Sequence, residues 1–278
     1  MINQTNTKDI GKILGKKVLV FGGVYSNFQA LKKIKSIAEE YHIPNTQIIC
    51  TGDILGYCAQ PNECLELIRD WGIHAIAGNV ELQIREDQEA CGCNFNAGSR
   101  CDLLSQNWYA FTQNKISKAN KEWLFTLPEF LRFDFGGKKY FVLHGGLEDT
   151  SQFIFKSTNW KIKSDILKTT KSDVILSGHC GLPFHDSQKD KYWINPGVIG
   201  MPANDGTPRV WYGVLETQES EFSFSHEAMT YDHAAAAKLM NENGLPSTYA
   251  ETLSTGLWDN MEILEAVEQK LRGKALTF

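Results

Sequence analysis

The sequence has no long apolar run. Nowhere does it approach the roughly 18 consecutive apolar residues of a membrane-spanning helix, so a membrane role is set aside. It has no basic block either: 28 Lys and Arg stand against 33 Asp and Glu, for a net charge of -5. No electrostatic footprint for nucleic acid is left. The opening stretch, Met1-Ile2-Asn3-Gln4-Thr5-Asn6, lacks the apolar core of a secretory signal. No internal repeat and no low-complexity linker interrupts the chain. Its seven cysteines are an odd number, in a chain too large to need disulfide staples. They point to a reducing, cytoplasmic setting.

What is present is an ordinary globular composition, 42% hydrophobic and 22% charged. It suits one large domain or two small ones. Residues 1–16 are polar and read as loosely attached. Residues 17–21 read as a buried strand that Gly22-Gly23 ends. Apolar residues Phe28, Leu31, Ile34 and Ile37 then recur at helical spacing. Residues 48–50 form a second apolar run, and Pro61 opens a second helical pattern. A third run, 73–77, ends at Gly78-Asn79. Strand, helix, strand, helix, strand predicts a parallel sheet and an α/β fold. Residues 81–100 read as a polar excursion, followed by helical patterns over 101–113 and 117–126. Beyond them lie a hairpin over 130–143, strands near 174–176 and 192–194, and a closing hairpin over 210–226. A helix over 232–241, with Asp232 as its cap, and an amphipathic element over 261–271 complete the reading.

Four of the apolar runs stop at a residue able to hold a metal: Asp53, Asn79, His144 and His179. In open α/β sheets ligands bind at the carboxyl ends of strands, and the glycine beside each of the four gives the backbone room there. Singly, an Asp in a turn or a His at a strand end is more often structural. Four together are hard to obtain by chance. One carboxylate, one carboxamide and two imidazoles suit a borderline divalent ion such as Mn, Fe or Zn.

The segments Gly52-Asp53-Ile54-Leu55-Gly56-Tyr57, Gly78-Asn79, Leu143-His144-Gly145-Gly146, Gly178-His179 through Pro183-Phe184, and Asn195-Pro196-Gly197 through Asp205-Gly206 follow one another in order. Over residues 17 to about 226 the chain resembles the calcineurin-like metallophosphoesterases, of the small bacterial phosphodiesterase type. The resemblance implies a four-layer α/β/β/α sandwich, a two-metal site at one edge of the sheets, and phosphoester hydrolysis by metal-activated water. It also implies a division into residues 1–230, the phosphoesterase domain, and 231–278, a helical extension packed on it. Leu239, Leu257, Ile263, Leu264 and Val267 form an apolar stripe in that extension, to be covered by the domain or by a second copy of the chain.

The chain departs from the family pattern at one metal position. Where the family has Asp-x-His after its first strand, this chain has Gly23-Val24-Tyr25. Where the family has Gly-His-x-His, it has Gly178-His179-Cys180-Gly181, and the residue after Asn79 is Val80 where a His or Cys is usual. The resemblance therefore implies one ion, held by Asp53, Asn79, His144 and His179, and argues against a second. Gly23 and Gly181 are expected to leave open space. Tyr25 either fills it or aims its hydroxyl at a small phosphorylated substrate, with Asn27 and Cys58 as further substrate-binding candidates. Cys58, Cys91, Cys93, Cys101 and Cys180 either rebuild a metal position with soft ligands or are unpaired thiols of the core and loops. Glu81 and Asp205 either stand in as acids for the lost His or, the simpler reading, take surface or turn roles. Two functions stay open: a metal-dependent phosphoesterase, or a non-catalytic scaffold that keeps the fold to bind a partner, with a cysteine-assisted sensor as a minor variant of the second. An open cleft beside Gly23 and Gly181 favours the enzyme, a filled apolar one the scaffold.

Overall fold

The computed structural model describes residues 6–218 and 221–278. It corrects the reading of the N-terminus at once. β1 (Thr7–Lys12) pairs in parallel with residues 130–134 and forms the edge of a sheet. Its side chains are half-buried or exposed, so the backbone ladder holds it and no hydrophobic alternation marks it in the sequence.

β2 (Lys17–Phe21) shows how the interior is divided. Successive side chains of a strand point to opposite faces. Val18 and Val20 enter one apolar cluster, while Leu19 and Phe21 enter another. A strand buried on both faces needs a packed layer on each side. α1 (Phe28–Glu40) supplies one of them. Asn27 caps it by accepting from the Ala30 N–H at 3.1 Å, and Leu31, Ile34 and Ile37 face the sheet. β3 (Ile48–Cys50), α2 (Pro61–Trp71) and β4 (His74–Ala75) follow. β4 keeps only two residues of the expected run 73–77.

The expected polar excursion opens with a helix, α3 (Asn79–Arg85), and α4 (Arg100–Lys115) and α5 (Lys118–Leu124) come after it. β5 (Phe130–Phe135) and β6 (Lys138–Val142) form the antiparallel hairpin. α6 (Trp160–Thr170), β7 (Val174–Leu176), β8 (Phe184–Gln188), β9 (Lys191–Asn195), β10 (Val210–Gln218) and β11 (Glu221–Met229) lead to the C-terminal helices α7 (His233–Glu242), α8 (Ser247–Thr255) and α9 (Ala266–Gln269). The expected amphipathic element over 261–271 shrinks to four-residue α9, with Val267 56% exposed while Leu264 is buried.

The strands make two sheets, ordered β1-β5-β6-β7-β9-β8 and β11-β10-β2-β3-β4. Val18, Val20, Val142, Val174 and Leu176 meet between them. Outside the five-stranded sheet, α1 and α2 pack with Trp108, Met240 and Leu253. Outside the six-stranded sheet, Phe141, Leu143 and Ile175 pack with Ile166 and Leu167 of α6 and with Leu264. Three apolar strata between four layers make an α/β/β/α sandwich. After α8 the chain runs from one helical layer to the other, so that Trp258 lies across Gly181, at the end of β7.

Candidate metal centre

The ends of β2, β3 and β7 turn in an unusual way. Tyr25, Asp53 and His179 have φ of 54°, 54° and 62°. Non-glycine residues in this left-handed region each cost about 1–3 kcal/mol and concentrate at functional sites. The turns bring backbone and side chains very close. A Cβ at Gly52, φ 94°, would lie 2.7 Å from the Gly78 nitrogen and 2.9 Å from His144 Nδ1, so only glycine fits there.

His144 sits at the centre of the cluster. Its Nδ1 is 2.7 Å from the Thr51 carbonyl oxygen, which only accepts, so Nδ1 carries the proton. Nε2 then faces Asn79 Oδ1 at 3.1 Å, Asp53 Oδ1 at 3.2 Å and His179 Nδ1 at 3.2 Å. The Asn79 amide is oriented by its own bonds: Nδ2 donates to the Cys91 carbonyl at 2.9 Å and to Cys93 Sγ at 3.3 Å. Its oxygen is left to the centre. Ligand atoms of Asp53, His144 and His179 lie within 4.8 Å of one another, and all three residues are buried. Asp53 Oδ1 and His179 Nε2 are buried without a hydrogen-bond partner.

Buried acceptors without a donor are costly, and a cation among them removes that cost. Burial and the nearby His144 bring His179 down to about 3, so it is neutral and can donate a lone pair. For His144, burial opposes the charge and the Asp53 carboxylate favours it, with a net upward shift. An oxygen from a carboxylate, an oxygen from a carboxamide and two imidazole nitrogens fit one divalent ion.

Glu81, read from sequence as a stand-in acid or, more simply, a surface or turn residue, is fully buried. Oε2 accepts from the N–H groups of Asp53 and Gly78 at 2.9 and 2.7 Å, and Oε1 from Leu55 at 2.9 Å. It ties the end of β3 to the start of α3 and so sets Asp53 beside Asn79. Burial and the Asp53 carboxylate push Glu81 up to about 7, against the pull of its backbone donors. The Gly78-x-x-Glu81 spacing, half of a capping box, was the available signal. Asp205 is buried too, accepting from Thr207, Arg209 and the Leu276 N–H.

Tyr25 lines a cavity beside the centre. Asn27 and Cys58, also expected at the substrate, do not. Asn27 is fully buried as the α1 cap, and its Nδ2 donates to the Gly200 carbonyl at 3.1 Å and to the Tyr231 hydroxyl at 2.8 Å. Cys58 is a core residue whose thiol is pushed far up by burial. All seven cysteines are free and buried. Burial holds Cys93 well above the usual thiol range and Cys180 at about 12, so neither supplies a ready thiolate.

A sequence model of the calcineurin-like phosphoesterase superfamily domain matches residues 17–220. The chain belongs to this family. An uncharacterized protein of Methanocaldococcus jannaschii is 27% identical in an alignment of 254 residues that covers 86% of this chain and 98% of that one. A metallophosphoesterase from Sphaerobacter thermophilus has the same fold, with a TM-score of 0.68 at 22% identity over 88% of this chain and 100% of that one. A hypothetical protein from Pyrococcus horikoshii superposes with a TM-score of 0.68 at 17% identity, over 87% and 99% of the two chains.

Against the family pattern, the half of the cleft that lacks ligands is not open as expected. A Cβ on Gly23 would lie 2.3 Å from Val198 Cγ1 and 2.9 Å from Tyr25 Cζ. One on Gly181 would lie 3.2 Å from Trp258 Cζ2. Val198, Tyr25 and Trp258 occupy the space. What is left is a cavity of about 80 Å³ between this filling and the centre, with room for several waters. Tyr249, Trp258 and Asp259 also line it. They follow residue 230, where the sequence carries no motif, and only the crossing of the C-terminal segment delivers them.

Proposed function

We propose that the chain is a metal-dependent phosphoesterase with a single divalent ion held by Asp53, Asn79, His144 and His179. The observation that carries this reading is the pair of orphaned buried atoms, Asp53 Oδ1 and His179 Nε2, in a ring of acceptors around His144. When bound, the ion would act as a Lewis acid toward a phosphoryl oxygen and lower the pKa of water. The chain's own groups do the rest. Thr51 fixes the His144 tautomer, and Glu81 fixes the backbone of Asp53. Tyr25 stays a neutral phenol, since burial and Asp53 hold its proton, and its O–H serves as a donor to a phosphoryl group in the cavity. Without a second ion on the attacking or leaving oxygen, turnover is expected to be slow.

Among the described residues no helix is long and apolar enough to cross a membrane. The free, buried cysteines suit a reducing compartment, and we place the chain in the cytoplasm with a small phosphorylated substrate. The filling by Val198 and Trp258 favours a second reading, in which the fold and its ion are kept to bind a partner. Hydrolysis of bis(4-nitrophenyl) phosphate by Mn²⁺-loaded protein separates the two. The enzyme reading expects release of nitrophenolate that stops with chelator, returns with Mn²⁺ and is absent in His144→Ala. Metal-loaded, folded protein with no hydrolysis of this or a panel of other phosphoesters would contradict it and leave the scaffold.

A further inference from the structure

Cys91-Gly92-Cys93 is a Cys-x-Cys turn that borders the centre without joining its ligand cluster. It touches one ligand closely. The Asn79 carboxamide donates through Nδ2 to the Cys91 carbonyl at 2.9 Å and to Cys93 Sγ at 3.3 Å. Those two bonds leave Oδ1 aimed at His144 Nε2, 3.1 Å away. The side chains of Cys91 and Cys93 are also hydrogen-bonded to each other. Both thiols are free.

The backbone brings this pair within bonding range. Two residues of extended chain span at most about 7 Å, and the left-handed turn at Gly92, φ 66°, shortens that span. A disulfide needs Cα atoms roughly 4.4–6.8 Å apart. The turn is pinned from outside, because Ser151 Oγ donates to the Gly92 carbonyl. A Cβ on Gly92 would lie 2.8 Å from Gln83 Cγ, so glycine is needed there. Cys93 lines the cavity beside the centre, where several waters fit. Hydrogen peroxide is little larger than water and reaches the pair by that route.

We propose that Cys91 and Cys93 form a reversible oxidation site that controls the metal ligand Asn79. Hydrogen peroxide takes one sulfur of the pair to a sulfenic acid. The O–O bond breaks, an S–O bond forms, and one water leaves. The second sulfur then attacks the first. The S–O bond breaks, the S–S bond forms, and hydroxide leaves with the remaining thiol proton as a second water. The bond draws Cys93 Sγ toward Cys91 and away from Asn79 Nδ2, and closing the ring turns the Cys91 carbonyl. The carboxamide loses the acceptors that orient it, so its oxygen is no longer held at the centre. In a reducing compartment the pair stays a dithiol and the ligand stays in place. This rests on the reading of Asp53, Asn79, His144 and His179 as a metal centre.

The test uses the full chain, metal-free, either kept in dithiothreitol or treated with hydrogen peroxide that is then removed. Mass spectrometry of the alkylated digest reads the disulfide in the peptide that carries both cysteines. A Mn²⁺ titration of the same samples reads affinity. The expected result is a Cys91–Cys93 disulfide, Mn²⁺ binding at least about tenfold weaker than in the reduced chain, and recovery of both with dithiothreitol. Cys93→Ser keeps an acceptor for Asn79 but cannot form the bond, so its affinity should be the same before and after peroxide. Peroxide-treated, folded protein without the disulfide overturns the inference while leaving the metal centre standing. So does a disulfide-bonded chain that binds Mn²⁺ as tightly as the reduced one, or a loss of affinity that Cys93→Ser shows equally. Reduced protein that takes up no Mn²⁺ overturns the centre and the inference together.

Discussion

Two halves of one cleft have diverged. In one, Asp53, Asn79, His144 and His179 converge on a point, and their environment holds them there through Thr51, Cys91 and Glu81. In the other, each place without a family ligand is taken by a neighbour: Val198 and Tyr25 at Gly23, and Trp258 at Gly181. Unselected decay would leave holes, and holes are destabilising. Here the polar half keeps its supporting hydrogen bonds and the apolar half is packed. The cleft pairs a buried cluster of potential metal ligands with an apolar wall.

The comparison breaks most sharply at the ligands. His144→Ala and Asn79→Ala should each lower metal affinity by at least the ~10–100-fold that loss of an outer-shell partner costs. Elemental analysis after dialysis and a metal titration check this. If both variants keep wild-type affinity, the polar half is no metal centre.

Support for the ligands comes next. In Glu81→Gln, a carboxylate that accepts from Asp53, Leu55 and Gly78 becomes an amide with one acceptor and a misplaced donor. Thermal unfolding should show a loss of about 1–3 kcal/mol, with metal binding weakened alongside. Unchanged metal affinity would mean that the buried carboxylate serves the fold alone.

A smaller effect tests how the apolar wall is anchored. Burial raises the Asp205 carboxyl, but hydrogen bonds from Thr207, Leu276 and Arg209 more than offset it and leave it below its usual range. A carboxyl depressed in the folded state adds stability above its unfolded pKa, about 3.9, and that stability is lost as pH falls through the folded value. Fluorescence of the C-terminal segment should therefore stay constant from neutral pH down to about 4 and change below it. Asp205→Asn should lack this acid step.

The smallest effect is expected at Tyr25. Burial and Asp53 keep its hydroxyl protonated, and a neutral phenol is a poor ligand. Tyr25→Phe should leave metal content nearly unchanged while lowering turnover of a diester. A large loss of metal would make Tyr25 a ligand and erase the contrast between the two halves.

The strand framework was legible because buried strands are continuous apolar runs that stop at Gly, Asp or His. β1 was not, since an edge strand held by its backbone carries no apolar signature. The positions of Asp53, Asn79, His144 and His179 could be read because each directly follows such a run. Glu81 escaped because its burial depends on three backbone donors that only the folded turn aligns. The wall escaped for another reason. Departures at Gly23 and Gly181 say what side chain is missing, not which neighbour moves in, and Trp258 arrives from 77 positions along the chain (258 against 181).

The most direct measurement is the number of metal ions per chain, by elemental analysis of protein purified under reducing conditions without chelator. One packed half and one liganded half predict one tightly held divalent ion, lost in His144→Ala and retained in Tyr25→Phe. Two ions per chain would contradict the packed half. None would contradict the liganded one.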